Sequence, residues 1–202
     1  MPAVPPSNPP RSRVFALRII AAAVLVTAAG VAAFLVASSS DRRPAALIGG
    51  AFSLEAGDGR TVSNDTLRGR PFLVYFGYTH CPDVCPTELA RISDVLNQMG
   101  DKPIPALFIT VDPERDTPKI MQDYVSSFNP AIIGLSGSPQ AVEAAEKTFR
   151  VFARKGAPQA DGDYSMDHSS IVYLMDKNGA FVEAFNLERP TKDAAKDLER
   201  YL

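Results

Sequence analysis

The chain has 202 residues, of which 46% are hydrophobic and 22% charged, a balance typical of a folded protein. Its two cysteines exclude a disulfide-dense scaffold and a four-cysteine zinc site, and its two histidines exclude any site that needs three. The net charge of −2 is unevenly distributed, because residues 1–43 carry five arginines and one aspartate. The remainder is acidic and lacks the basic surface that nucleic-acid binding requires, so we expect no nucleic-acid partner.

Residues 19–37 form a stretch without a single charged residue, preceded by three arginines. As a helix this stretch would span roughly 28 Å, close to the hydrocarbon thickness of a bilayer. The pattern predicts one N-terminal transmembrane helix over 19–37, with residues 1–18 as a short cytoplasmic head rich in proline and arginine. Residues 38–46 are then a linker, and residues 47–202 form a domain outside the cytoplasm.

Two other interpretations of this segment remain open. A cleaved signal peptide has a shorter apolar core, of about 7–15 residues, and a buried core helix rarely follows a proline-rich head. Both the anchor and the signal peptide export the domain, where cysteines meet an oxidising environment. The head lacks the Ser- and Arg-rich amphipathic character of an organelle transit peptide. We therefore expect a bacterial inner-membrane protein whose C-terminal domain faces the periplasm.

The exported domain alternates strand and helix patterns. The predicted strands are Phe52–Leu54, Arg60–Val62, Phe72–Phe76, Pro105–Val111, Ile132–Leu135, Ser170–Met175 and Phe181–Ala184, and the predicted helices are Thr87–Met99, Thr117–Phe128, a helix opening at Ser138-Pro139, and Thr191–Leu202. This order predicts an α/β fold with a mixed sheet flanked by helices.

The first candidate for chemistry is the segment 77–86, which follows the first continuous apolar strand. Its two cysteines, Cys81 and Cys85, are four residues apart. On one helical turn their Cα atoms would lie about 6 Å apart along the axis, which allows a disulfide or the convergence of both sulfurs on one ion. Pro86 is predicted at the first helical position, where the helix N-terminus would favour the Cys85 thiolate. A purely structural disulfide is the alternative, although so short a loop stabilises little.

A histidine supplies a third donor. His168 precedes an apolar strand, in a predicted polar loop over 164–170, and functional loops gather at strand ends in α/β sheets. Two thiolates and one imidazole suit copper in its reduced state, whereas zinc usually takes a fourth ligand. Asp167 is a candidate for that ligand or for orienting His168. His80 adjoins Cys81, but we expect it to point elsewhere.

The segment 111–118 has a structural interpretation and a functional one. Asp112 and the following proline end a strand, Asp116 and Thr117 would cap the next helix, and Arg115 would pair with an acidic neighbour. The alternative is that Asp112 and Arg115 belong to a surface on which a partner protein docks.

Three motifs together resemble the signature of the Sco/SenC family. They are GYTHCPDVCP at 77–86, VDPERDTP at 111–118 and DHS at 167–169. The resemblance implies a thioredoxin-like fold in a membrane-anchored copper protein, with copper ligands at Cys81, Cys85 and His168. It also implies that copper goes to the binuclear centre of cytochrome c oxidase subunit II, and that Cys81 and Cys85 can form a redox-active disulfide.

The leading hypothesis is a copper metallochaperone rather than a turnover enzyme. It would take copper from a donor protein, bind Cu(I), and bind Cu(II) with an added ligand. The alternative is a thiol-disulfide oxidoreductase in which Cys81 attacks a partner and Cys85 resolves the mixed disulfide. Three residues separate these cysteines, not the two typical of thioredoxin-type motifs. A redox or copper sensor is neither supported nor excluded, and a peroxidase is disfavoured because only this adjacent pair is available.

Overall fold

A computed structural model describes residues 48–159 and 162–202. In these residues the strands are β1 Ser53–Ala56, β2 Thr61–Ser63, β3 Phe72–Gly77, β4 Ala106–Thr110, β5 Ile132–Ser136, β6 Ala153–Lys155, β7 Met166–His168, β8 Val172–Met175 and β9 Phe181–Ala184, and the helices are α1 Val84–Gln98, α2 Pro118–Val125, α3 Pro139–Phe149 and α4 Thr191–Glu199. The α/β class predicted from the sequence is confirmed.

Seven strands form one mixed sheet in the order β2-β1-β5-β4-β3-β8-β9. The central strands β5, β4 and β3 are parallel, and β1, β2, β8 and β9 add to them in antiparallel fashion. All six residues of β3 are buried, because a central strand covered on both faces needs a continuous apolar run. The mixed sheet therefore places β3, the strand that precedes the two cysteines, at the centre of the domain.

Each face of the sheet has its own aromatic cluster. On one face, Tyr75 of β3 stacks on Phe108 of β4, which stacks on Tyr124 of α2. On the other face, Phe76 of β3 packs against Phe149 of α3. Helix α1 packs against α4. Adjacent residues of β3 therefore contribute to different layers of the core, as the two-residue period of a strand requires.

The strand topology brings three loops to one edge of the sheet. Gly77, the last residue of β3, pairs with Thr110, the last residue of the parallel strand β4. Strand β8 runs antiparallel to β3, with Val172 at its start opposite Tyr75. The segments after β3, after β4 and before β8 therefore meet at the carboxyl edge of the parallel strands, where α/β sheets bind ligands.

Several predicted boundaries are wrong by a few residues, and two of them lie beside the candidate motifs. Helix α1 begins at Val84 rather than Thr87, so Pro86 is its third residue. The first four N–H groups of a helix have no intrahelical partner, so a proline there costs no hydrogen bond. Helix α2 ends at Val125 rather than Phe128, where the Ser126 hydroxyl donates to a carbonyl of the last turn.

The small sheet of β6 and β7 was not predicted. It places His168 at the end of a strand, paired with Ala153, rather than in the loop that we expected. These strands, Ala-Arg-Lys and Met-Asp-His, have three residues each and are partly or fully exposed. Such segments carry too little apolar alternation for a strand to be predicted from sequence.

The predicted transmembrane segment, residues 19–37, lies outside the described residues, as do the predicted head and the whole predicted linker. Within residues 48–159 and 162–202, no helix is both long enough and apolar enough to cross a bilayer.

Candidate metal centre

Three donor atoms converge at the sheet edge. The two Sγ atoms of Cys81 and Cys85 and a ring nitrogen of His168 all lie within 4.8 Å of one another, and 3.6 Å separates Cys85 Sγ from His168 Nε2. Both cysteines are free thiols. An ion bonded to sulfur at about 2.3 Å and to nitrogen at about 2.0 Å keeps the two donors less than about 4.3 Å apart. The observed spacing therefore suits a single metal ion.

The two cysteines occupy different environments. Cys85 lies in the first turn of α1 and is 0% exposed, whereas Cys81 is partly exposed and its Sγ accepts a hydrogen bond from the Cys85 N–H at 3.3 Å. Gly77 makes room for Cys85, because a Cβ at that position would lie 2.8 Å from Sγ. The sulfur of Cys85 is therefore held between α1 and β3, whereas the partly exposed Cys81 lies nearer the solvent.

The expectation that the helix N-terminus favours the Cys85 thiolate is wrong for the metal-free protein. Burial raises the pKa of Cys85 to about 12, and a hydrogen bond with Cys81 raises it further. Removal of the sulfur from water destabilises the thiolate more than the few N–H groups at the helix end stabilise it. At neutral pH Cys85 is a thiol, and a bound metal must displace its proton.

His168 is oriented by its own backbone. Its Nδ1 lies 3.1 Å from the Ser169 carbonyl oxygen. A carbonyl only accepts, so Nδ1 carries the hydrogen and Nε2 of the neutral ring has a free lone pair towards Cys85. The Tyr78 ring meets the imidazole edge to face, with centroids 5.8 Å apart and planes at 89°. The histidine ring is thus oriented so that Nε2 faces Cys85.

Two other predicted candidates lie outside the converging group. The Asp167 carboxylate is exposed and accepts from Arg154 Nη2 at 2.8 Å. The exposed His80 places its Nδ1 3.1 Å from the Thr79 hydroxyl. Among the described residues, neither the Asp167 nor the His80 side chain joins the group of three donor atoms.

Asp112 and Arg115 form a cluster behind the site. Asp112 is buried, pairs with the Arg115 guanidinium, and accepts from the Tyr164 hydroxyl at 2.9 Å. The guanidinium carbon of Arg115 lies 3.7 Å from the Tyr164 ring centroid and 5.8 Å from that of Tyr78. Because Tyr78 contacts His168, this cluster supports one wall of the site.

Asp116 has a role that the sequence did not indicate. The prediction that it caps α2 is wrong, because Thr117 alone accepts from an N–H of the first turn. The Asp116 carboxylate is fully buried and accepts from the Thr79 N–H at 3.0 Å and the Thr110 hydroxyl at 2.7 Å. It therefore ties the loop that carries the cysteines to the end of β4. No local pattern reports this, because Thr79 lies 37 residues from Asp116 in the sequence.

The fold and the donors define a class of protein, a thioredoxin-like α/β domain with a two-cysteine, one-histidine group at its sheet edge. The model of the SCO1/SenC family matches residues 40–202. The chain belongs to this family.

Individual relatives support the assignment. The chain is 40% identical over 149 residues to the SCO2-like protein RP587 of Rickettsia prowazekii, covering 72% of this chain and 73% of that protein. It is 38% identical over 164 residues to the mitochondrial SCO2 homolog of Bos taurus, covering 79% of this chain and 62% of the bovine protein.

Solved structures agree. Bradyrhizobium japonicum ScoI with copper bound matches with a TM-score of 0.74 and 52% identity, over 77% of this chain and 99% of that one. Yeast Sco1 with copper bound matches with a TM-score of 0.69 and 36% identity, over 76% of this chain and 87% of that one.

Proposed function

We propose that this protein is a membrane-anchored copper metallochaperone that binds copper through Cys81, Cys85 and His168 and delivers it to the binuclear centre of cytochrome c oxidase subunit II. The observation that carries the proposal is the convergence of two sulfurs and one imidazole nitrogen within 4.8 Å. The copper in the solved Bradyrhizobium and yeast relatives supports the choice of metal.

The chemistry of the donors favours Cu(I). Thiolate sulfur is a soft ligand and stabilises the reduced ion, and imidazole is compatible with both oxidation states. Among the described residues the group supplies three donors, so Cu(II) would require an added ligand. Binding replaces the Cys85 proton with the metal, and the raised pKa of that thiol opposes binding at low pH.

The position of the site supports release by ligand exchange. Cys81 and His168 line an open cleft of about 340 Å³ together with Val84. An incoming thiolate can reach the metal beside Cys81 first, because Cys85 is buried. The metal then passes to the partner one bond at a time, without exposure to bulk water as a free ion.

The surface around the cleft suits a protein partner. Val84, which lines the cleft with His168, is 44% exposed, and Phe152 and Ile171 are 57% and 41% exposed. The N–H of Ser169, the neighbour of His168, donates to the Phe152 carbonyl, and the Phe152 N–H donates to the Ser169 hydroxyl. Exposed apolar residues gathered at a metal site favour docking of the copper acceptor there. Arg115 and Asp112, which are tied into the wall of the site, would act by shaping this surface, and Asp167 would contribute to its rim.

The proposal includes the location inferred from the sequence. Residues 19–37 would anchor the protein in the bacterial inner membrane, and the domain from residue 47 would face the periplasm. A copper donor protein and subunit II would then use the same cleft at different times.

A copper titration tests the ligand set. The reduced full-length chain in detergent is titrated with Cu(I) against a competing chelator, beside Cys81→Ser, Cys85→Ser and His168→Ala. We expect tight 1:1 binding that each substitution weakens strongly. His80→Ala is the matched control and should bind as the wild type does. Retained affinity in His168→Ala would contradict the ligand set.

Delivery is tested by mixing the copper-loaded protein with the copper-free soluble domain of subunit II. We expect the metal to appear on the acceptor, and Phe152→Ser to slow transfer without changing copper affinity. Absence of transfer from the wild type would contradict the delivery role.

A thiol-disulfide reductase is the second candidate, favoured by the partly exposed Cys81 next to the buried free thiol of Cys85. In that mechanism Cys81 attacks a partner disulfide, Cys85 displaces the partner's sulfur, and a Cys81–Cys85 disulfide remains. His168 has no necessary part in these steps. Reduction of the partner's cysteines by metal-free His168→Ala at the wild-type rate would favour the reductase.

A further inference from the structure

Tyr75 carries a buried hydroxyl without a partner. It lies in the middle of β3, and its side chain is 1% exposed. Within the described part of the chain, its hydroxyl oxygen is buried and makes no hydrogen bond. Buried polar groups are nearly always paired, because an unpaired one loses its bonds to water without replacement. This hydroxyl therefore needs an explanation.

The ring of Tyr75 is held rigidly on the face of β3 that meets Cys85. It stacks on Phe108, with centroids 5.8 Å apart and planes at 21°. Residues two apart on a strand share a face, so Tyr75 lies on the same face as Gly77. A Cβ on Gly77 would lie 2.8 Å from Cys85 Sγ. The face that carries the tyrosine is therefore the one against which the sulfur packs.

The hydroxyl and the sulfur also perturb each other. Burial raises the pKa of Tyr75, and the charge of a Cys85 thiolate is the next largest cause. In the other direction, burial raises the pKa of Cys85, and the nearby Tyr75 hydroxyl is among the groups that lower it. The hydroxyl and the sulfur therefore lie close enough to interact.

We propose that Tyr75 is a positioning residue for the metal centre, whose hydroxyl donates a hydrogen bond to Cys85 Sγ when the metal is bound. The inference rests on the proposed function. The hydroxyl has no hydrogen-bond partner in the metal-free structure, so the contribution of the proposed hydrogen bond belongs to the loaded state.

Such a hydrogen bond has two consequences for the site. It stabilises the negative charge on the metal-bound sulfur. It also withdraws electron density from the sulfur, which changes the metal–sulfur bond and the balance between oxidation states. Both effects would favour retention of copper in its reduced form.

The test uses Tyr75→Phe in the full-length chain, a change that removes one oxygen and keeps the ring. At fixed neutral pH we expect the Cu(I) affinity to fall tenfold or more, the usual range for lost outer-shell partners being about 10–100-fold. With Cu(II), the sulfur-to-copper charge-transfer band should move to longer wavelength. The unfolding temperature of the reduced metal-free protein should not fall, because no hydrogen bond is lost there.

The matched control is Tyr173→Phe. Tyr173 is buried in the same sheet but packs on the opposite face, against Phe76 and Phe149. It should leave both affinity and band unchanged. An effect of equal size in both variants would overturn the inference.

Three further results would overturn the role of Tyr75. The first is that Tyr75→Phe leaves both the Cu(I) affinity and the charge-transfer band unchanged. The second is that it lowers the unfolding temperature of the metal-free protein but leaves the metal site unchanged. The third is that the Cu(I) affinity falls while the charge-transfer band does not move. A wild-type chain that fails to bind copper would instead refute the proposed function, so the two failures are distinguishable.

Discussion

A substitution at Gly77 would test whether backbone space beside Cys85 determines metal affinity. In Gly77→Ala the new Cβ would lie 2.8 Å from Cys85 Sγ and 2.7 Å from Phe108 Cε2. Ordinary contacts between such atoms are about 3.5–4.0 Å. The sulfur, the ring or both must therefore move by about 0.7 Å or more.

The expected magnitude follows from that displacement. Overpacking of a core costs about 1–3 kcal/mol of unfolding free energy. Metal–ligand distances tolerate only about 0.2 Å, so a displaced Cys85 sulfur no longer fits the geometry set by Cys81 and His168. We expect Gly77→Ala to lower Cu(I) affinity at least tenfold, or ~1.4 kcal/mol.

Competition titration with Cu(I) and urea unfolding of the reduced protein would measure the two effects separately. Gly134→Ala is the matched control. Gly134 lies on β5, outside the three-donor group, and a Cβ there would lie 2.6 Å from the Met121 carbonyl oxygen. Both variants should lose stability, and only Gly77→Ala should lose affinity. If Gly77→Ala is destabilised but binds copper like the wild type, the space beside Cys85 does not determine metal affinity and the prediction is refuted.

Two further predictions concern stability. Because burial raises the pKa of Cys85 to about 12, against ~8.5 in an unfolded chain, the unfolded state ionises first as pH rises. The reduced metal-free protein should therefore lose up to about 2 kcal/mol of unfolding free energy between pH 8 and 10. The Cys85→Ser variant should lose less over the same range. An equal loss in both proteins would contradict the assignment of this pH dependence to Cys85. Asp116→Asn replaces a carboxylate that accepts hydrogen bonds from Thr79 and Thr110, so urea unfolding should show a loss of about 2–3 kcal/mol of unfolding free energy. Asp123→Asn, at an exposed position, should change the unfolding free energy little. Equal effects of the two substitutions would refute the bridging role of Asp116.

Much of the fold follows from local patterns in the sequence. The continuous apolar run predicted β3, and Ser138-Pro139 predicted the start of α3, whose N-cap is Ser138. Both are signals that a chain carries within a few residues. Strands β6 and β7 carry no such signal, and the placement of His168 on a strand was therefore missed.

The donors themselves were identified from residue type and spacing. Cys81 and Cys85 lie four residues apart before a helix, and His168 lies just before a strand. These features are local, and the structure places the three side chains together.

The properties of the site depended on the tertiary structure alone. The thiol state of Cys85, the bridge through Asp116 and the unpartnered hydroxyl of Tyr75 each involve groups that are far apart in sequence. Burial is a sum over everything packed around an atom, and neither residue type nor spacing reports it. The sequence by itself determined which side chains could hold a metal, and the packing of α1 and the loops on the sheet decided the protonation of the sulfur and the groups that surround it.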